Sequence, residues 1–68
     1  MSRIEYSQID VTVEKISDKA VLVYQEDYNE YSWIPRTLLS TNSDENLERG
    51  KLQTLSIQTF KLRDIGWL

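Results

Sequence analysis

The chain contains no cysteine and no histidine, and only one proline, two glycines and one phenylalanine in 68 residues. Each scarcity removes a class of answer. Without cysteine there is no disulfide framework, and without cysteine or histidine the usual ligand sets of zinc, haem and iron–sulfur centres are missing. An enzyme would call for a histidine, an activated cysteine or a carboxylate pair in a cleft, and the first two are missing. No apolar run approaches the roughly 18 residues that would span a bilayer, and the opening Met1-Ser2-Arg3-Ile4-Glu5 lacks the basic-then-apolar order of a secretory leader. The expectation is a non-enzymatic cytoplasmic protein with no membrane segment, no metal and no cofactor.

At 8.0 kDa the chain has room for a single domain, residues 1–68, burying only about 60% of its unfolded surface. The core of such a domain is thin, so each large apolar side chain weighs heavily and self-association is a natural supplement. Trp33, Phe60 and Trp67 are the expected anchors, with Trp33 open between core and contact because Tyr24, Tyr28, Tyr31 and Trp33 cannot all enter the core of a thin sheet. Eleven acidic residues against eight basic ones leave a net charge of −3. That balance disfavours a general phosphate-backbone binder, which depends on clustered lysine and arginine, and biases the chain toward basic partner surfaces.

The hydropathy pattern is mostly that of strands. Ile9, Val11 and Val13 alternate with Asp10, Thr12 and Glu14, the period-2 signature of a strand with one wet face over Ile9 to Ile16. Residues 1–8, with Ile4 and Tyr6 among polar neighbours, read as a separate short edge strand or a loose arm. After the polar turn Ser17-Asp18-Lys19, the run Ala20-Val21-Leu22-Val23-Tyr24 is apolar on both faces, as a central strand buried on two sides would be. Gln25 to Glu30 is a second turn, and Tyr31-Ser32-Trp33-Ile34 a third strand, stopped by Pro35 with its missing N–H. Three sequential strands of this kind form a meander.

Arg36-Thr37-Leu38-Leu39 suits one helical turn that tucks its leucines under the sheet. In the polar stretch that follows, Asn42 with Glu45 resembles a helix start, and Gly50 either ends that helix or forms a turn. Lys51 to Ile57 alternates again, with Leu55 and Ile57 on one side and Leu52, Thr54 and Ser56 on the other, as a fourth strand. Residues 58–68 fit either a terminal helix capped by Gly66 or more strand. The fold class expected is mainly β: a small antiparallel four- to five-stranded curled sheet or SH3-like barrel with a short C-terminal helical element.

Lys19-Ala20-Val21-Leu22-Val23, Ser32-Trp33-Ile34-Pro35-Arg36-Thr37 and Leu55-Ser56-Ile57, with Phe60 and Gly66, together resemble a group of short proteins of bacteriophages, plasmids and prophages. Those chains carry a K-A-I-L strand, an acidic turn, a W-[IL]-P-K-S strand end and a closing L-x-I-P-x-W segment that ends in a glycine. The resemblance spans most of residues 11–66. Gln58 departs from it where the group favours proline, and Thr37 where it favours serine. It implies a mostly β accessory protein of a mobile element, generally without an assigned activity, and it lends no catalytic residue.

Two sets of side chains stand out as contact candidates. Glu26, Asp27, Tyr28, Glu30 and Tyr31 gather carboxylates and tyrosines at one hairpin tip. Tyrosine supplies a large rigid surface with a polar handle and pairs well with arginine or lysine across an interface. This set points to a partner protein with a basic surface, host or element encoded, and a stoichiometric inhibitor of a host nucleic-acid-handling or defence complex is one concrete version. The second set is Arg36, Lys51, Lys61 and Arg63. If these converge, they flank aromatics in the manner of SH3-like or OB-type modules that bind single-stranded nucleic acid. A structural homo-oligomer subunit is the third possibility. Glu26, Asp27 and Glu30 read as solvated charge rather than a cation site, since the glycine and ligand series of a calcium loop are missing.

Overall fold

The computed structural model describes residues 3–68; Met1 and Ser2, the start of the expected N-terminal arm, lie outside the described residues. Four strands, β1 (Tyr6–Ile16), β2 (Ala20–Gln25), β3 (Glu30–Pro35) and β4 (Leu52–Gln58), form one antiparallel sheet in the order β3-β2-β1-β4. A 3₁₀ turn (Arg36–Leu38) and the short helix α1 (Thr41–Glu45) lie between β3 and β4, and the helix α2 (Thr59–Asp64) follows β4. The sheet curls without closing, so the curled-sheet alternative is the one realised, and residues 59–64 are helical.

Tyr6, Ser7 and Gln8 belong to β1 itself, against the expectation of a separate edge strand or a loose arm. They pair with Gln58, Ile57 and Ser56 of β4, because the alternation Ser7, Ile9, Val11, Val13 runs unbroken and β4 is long enough to match it. At the other end of β1 the register shifts between Val13 and Lys15, leaving Glu14 as a bulge. The extra residue turns Lys15 toward the face of Leu22 and Ile16 toward that of Val21, and bulges of this kind increase local twist.

One face of the sheet is the core. Val11, Val13, Val21, Val23, Ile34, Leu55 and Ile57 are fully buried there beneath Leu39, Leu62 and Trp67. The segment after Pro35 crosses from one edge of the sheet to the other. Leu39 bridges Ile57, Ser40 N donates to Ser56 O at 2.9 Å, and Ser56 N donates to Ser43 Oγ at 2.9 Å. That anchoring also explains where α1 begins. Ser40, not Asn42, is its N-cap, accepting from Ser43 N, because β4 already holds Ser40 in extended backbone. Gly50, at φ 83°, sits in the turn before β4 rather than at the helix end.

Gln58 takes φ −55° and ψ 128°, the backbone a proline would adopt, so the strand-to-helix change occurs without one. Gly66, at φ 83°, ends α2: its N donates to Arg63 O at 3.2 Å, and Trp67 N donates to Leu62 O at 2.8 Å. These two bonds are those of a Schellman motif, which brings the residue after the glycine back onto the helix's last apolar position. Trp67 and Leu62 are accordingly both buried. Of the three expected anchors only Trp67 serves; Trp33 is 49% and Phe60 60% exposed.

Candidate functional site

Strand register determines what the second face of the sheet presents. Tyr24 pairs with Tyr31 and with Thr12, and Thr12 pairs with Leu52. A second row joins Trp33 to Leu22 and Leu22 to Lys15. Since residues directly opposite one another share a face, Tyr31, Tyr24, Trp33, Leu22, Thr12 and Leu52 form one patch opposite the core. Among the described residues no helix lies over it. Tyr31, Trp33 and Leu52 are exposed, at 62%, 49% and 67%, whereas Leu22, Tyr24 and Thr12 are partly screened by their neighbours. The expectation that β2 is buried on two sides is therefore corrected: both its faces are apolar, but only the Val21/Val23 face is covered. The Tyr24 and Tyr31 rings lie 4.8 Å apart at 47°, within the range of favourable aromatic pairs. Tyr24 OH donates to Asn29 Oδ1 at 2.6 Å, which fixes the ring and ties the patch to the β2–β3 loop.

That loop holds the acidic tip, and the structure divides the five residues singled out there. Glu26 and Asp27 are exposed, and Tyr31 lies on the open face. Tyr28 and Glu30 turn the other way and engage the C-terminal segment. The Tyr28 ring stacks on Trp67 at 6.5 Å with 2° between planes, and Trp67 Nε1 donates to Glu30 Oε1 at 3.0 Å. Gln25, buried on the core face, accepts from Asp27 N at 3.1 Å and shapes the turn. Among the described residues no three acidic side chains converge closely enough to share a cation.

The four basic residues do not converge. Arg36 lies at the end of the sheet where β3 stops, its Nε donating to Asp44 Oδ1 at 2.7 Å and a terminal nitrogen to Ser17 O at 2.9 Å. The bond to Asp44 raises the Arg36 pKa above its ordinary value. Lys51 pairs with Glu48 at 3.5 Å. Lys61 and Arg63 belong to α2, which starts at the opposite end of the sheet beside the β1–β4 pair. Arg63 joins Arg3, Ile4, Glu5 and Phe60 around a shallow cavity of about 230 Å³ there.

Leu22, Tyr24, Trp33 and Leu52 were outside the expected contact set. The signal for them is in the sequence: Leu22, Tyr24 and Trp33 each fall on the opposite phase from a buried neighbour, Leu52 falls on the opposite phase from Leu55 and Ile57, and the register aligns them. Comparison with family models, with curated proteins and with solved structures finds no match.

Proposed function

We propose that the chain is a non-enzymatic protein-binding domain whose contact surface is the open sheet face, with Tyr31 and Trp33 at its centre and Glu26 and Asp27 at its rim. The observation that carries this reading is the uncovered aromatic patch on a domain whose other face packs its valines and isoleucines beneath Leu39, Leu62 and Trp67. Contiguous exposed apolar surface with a polar rim is what interaction sites present, and aromatic residues dominate the energetics of such contacts. The carboxylates beside it, with the net charge of −3, select a partner whose apolar patch is bordered by lysine or arginine and speed its encounter. Proteins that handle nucleic acid carry such surfaces. The resemblance to mobile-element proteins supports a host or element-encoded target of that kind, held stoichiometrically.

Affinity capture from a lysate of the host cell tests this, with wild type compared against a Tyr31→Ser, Trp33→Ser double variant. The expected result is a discrete partner retained by wild type and lost with the variant, with Glu26→Gln, Asp27→Asn weakening capture mainly at low salt. Micromolar binding of labelled single-stranded oligonucleotides that collapses as salt rises would overturn it in favour of a nucleic-acid module.

A further inference from the structure

The two edges of the sheet are treated differently. The outer edge of β4 is occupied: Leu39 bridges Ile57, and both backbone groups of Ser56 are bonded to Ser40 and Ser43. The outer edge of β3 has no pairing strand among the described residues. Edge strands are ordinarily protected by charged side chains, lysine above all, by proline, by bulges or by covering segments. β3 is regular along its whole pairing with β2, contains no basic residue, and carries only Glu30 at one end and Pro35 at the other.

The direction of its free backbone groups follows from one bond. Arg36 N donates to Lys19 O at 2.8 Å, and the register from Ala20↔Pro35 to Gln25↔Glu30 is unbroken. Antiparallel pairs alternate between bonded and non-bonded, so Ile34, Ser32 and Glu30 face β2, while Tyr31, Trp33 and Pro35 turn their backbone outward. Pro35 stands where its missing N–H removes nothing from the β2–β3 ladder.

We propose that β3 pairs with β3 of a second copy, antiparallel, about a two-fold axis through Ser32. In that register Tyr31 lies opposite Trp33 of the second copy, and the reverse, and the N–H and C=O of both residues are satisfied in each strand. Shifting the axis to Trp33 would set Tyr31 against a proline and leave its carbonyl without a donor. The antiparallel sense also sets each acidic loop, Glu26 and Asp27, beside the end of the other copy that bears Lys19 and Arg36. A parallel arrangement would align two acidic loops. The product is an eight-stranded sheet on which the two open faces join into one aromatic surface, with Tyr24, Tyr31, and Trp33 and Leu22 of the second copy in a single row. An edge of six residues buries less than the about 800 Å² per partner of a standard interface, so the dimer dissociates on dilution. The inference needs no partner protein and does not depend on the protein-binding reading.

Light scattering and cysteine cross-linking test it. The expected mass is twice 8.0 kDa at high concentration, falling toward the single-chain value on dilution. Ser32 faces its own copy in a non-bonded pair, where the Cα atoms are about 4.5 Å apart, within disulfide range. The chain has no cysteine of its own, so Ser32→Cys is expected to cross-link on oxidation under conditions in which Thr41→Cys, an exposed control, does not. Trp33→Pro removes an outward N–H and is expected to give a monomer that retains its strand signal in circular dichroism. A single-chain mass at every concentration overturns the proposal, as does a dimer in which Ser32→Cys cross-links no faster than the control. Should Trp33→Pro not fold, the mass and the two cysteine variants still decide.

Discussion

Trp67 and Glu30 are joined by a 3.0 Å hydrogen bond across 37 residues of sequence, and this contact closes the fold at the end where the acidic loop emerges. The indole is 3% exposed and is reached only because Gly66 reverses the chain after α2.

Trp67→Ala is expected to be the most damaging single change. Removing a buried indole costs about 3–5 kcal/mol, against a total of about 5–15 kcal/mol for a typical domain and less for a small one. The variant should melt far below wild type or be largely unfolded, read by circular dichroism. Trp67→Phe keeps the stack on Tyr28 but not the bond to Glu30, and should fall between. If Trp67→Ala melts with wild type, the C-terminal segment is not part of the core.

Fluorescence separates the two tryptophans. In Trp67→Phe the remaining Trp33 should emit to the red and be quenched readily by iodide. In Trp33→Phe the remaining Trp67 should emit to the blue and resist quenching. Tyr31→Ser and Trp33→Ser, which lie on the open face, should each cost less than about 1 kcal/mol in denaturant titrations. A loss as large as that of Trp67→Ala would make the open face a second core instead of a contact surface.

Much of the fold is legible in the chain because period-2 alternation specifies strands and their two phases. What alternation does not specify is which phase is covered. Val21 and Val23 compete with Leu22 and Tyr24 on equal apolar terms, and the outcome depends on Leu39, Leu62 and Trp67, which arrive from distant elements. Residue size misleads in the same way. Trp33 outweighs every buried valine, yet its strand position places it opposite the cover. The acidic loop is legible as charge, but Tyr28 and Glu30 are engaged by a tryptophan 39 and 37 residues downstream, a partnership that only the tertiary fold creates. Four basic residues close in composition but set at opposite ends of the sheet are a further case.

Ser43 is a small residue with a large expected effect. It is buried, and its Oγ receives the outward N–H of Ser56. Ser43→Ala takes the protein partner away from that part-buried donor, at a cost of about 1 kcal/mol or somewhat more. Amide exchange should show faster exchange at Ser56 than in wild type, with the melting temperature lowered. Unchanged exchange at Ser56 would mean that solvent already reaches this edge of β4.

Gly66 isolates a backbone effect. Its φ of 83° is left-handed, and a Cβ built there meets nothing within 4 Å, so a substitution suffers conformational strain without a clash. Gly66→Ala should therefore cost about 1 kcal/mol, and Gly66→Asn less, since asparagine tolerates this conformation. Both variants should keep the Trp67 emission blue, because strain alone does not eject the indole. A red shift in the alanine variant would show instead that the Schellman turn has opened and that the packing of Trp67 depends on this turn more than on its contacts with Leu62, Tyr28 and Glu30. Denaturant titration followed by Trp67 fluorescence in a Trp33→Phe background reads stability and indole burial from one curve.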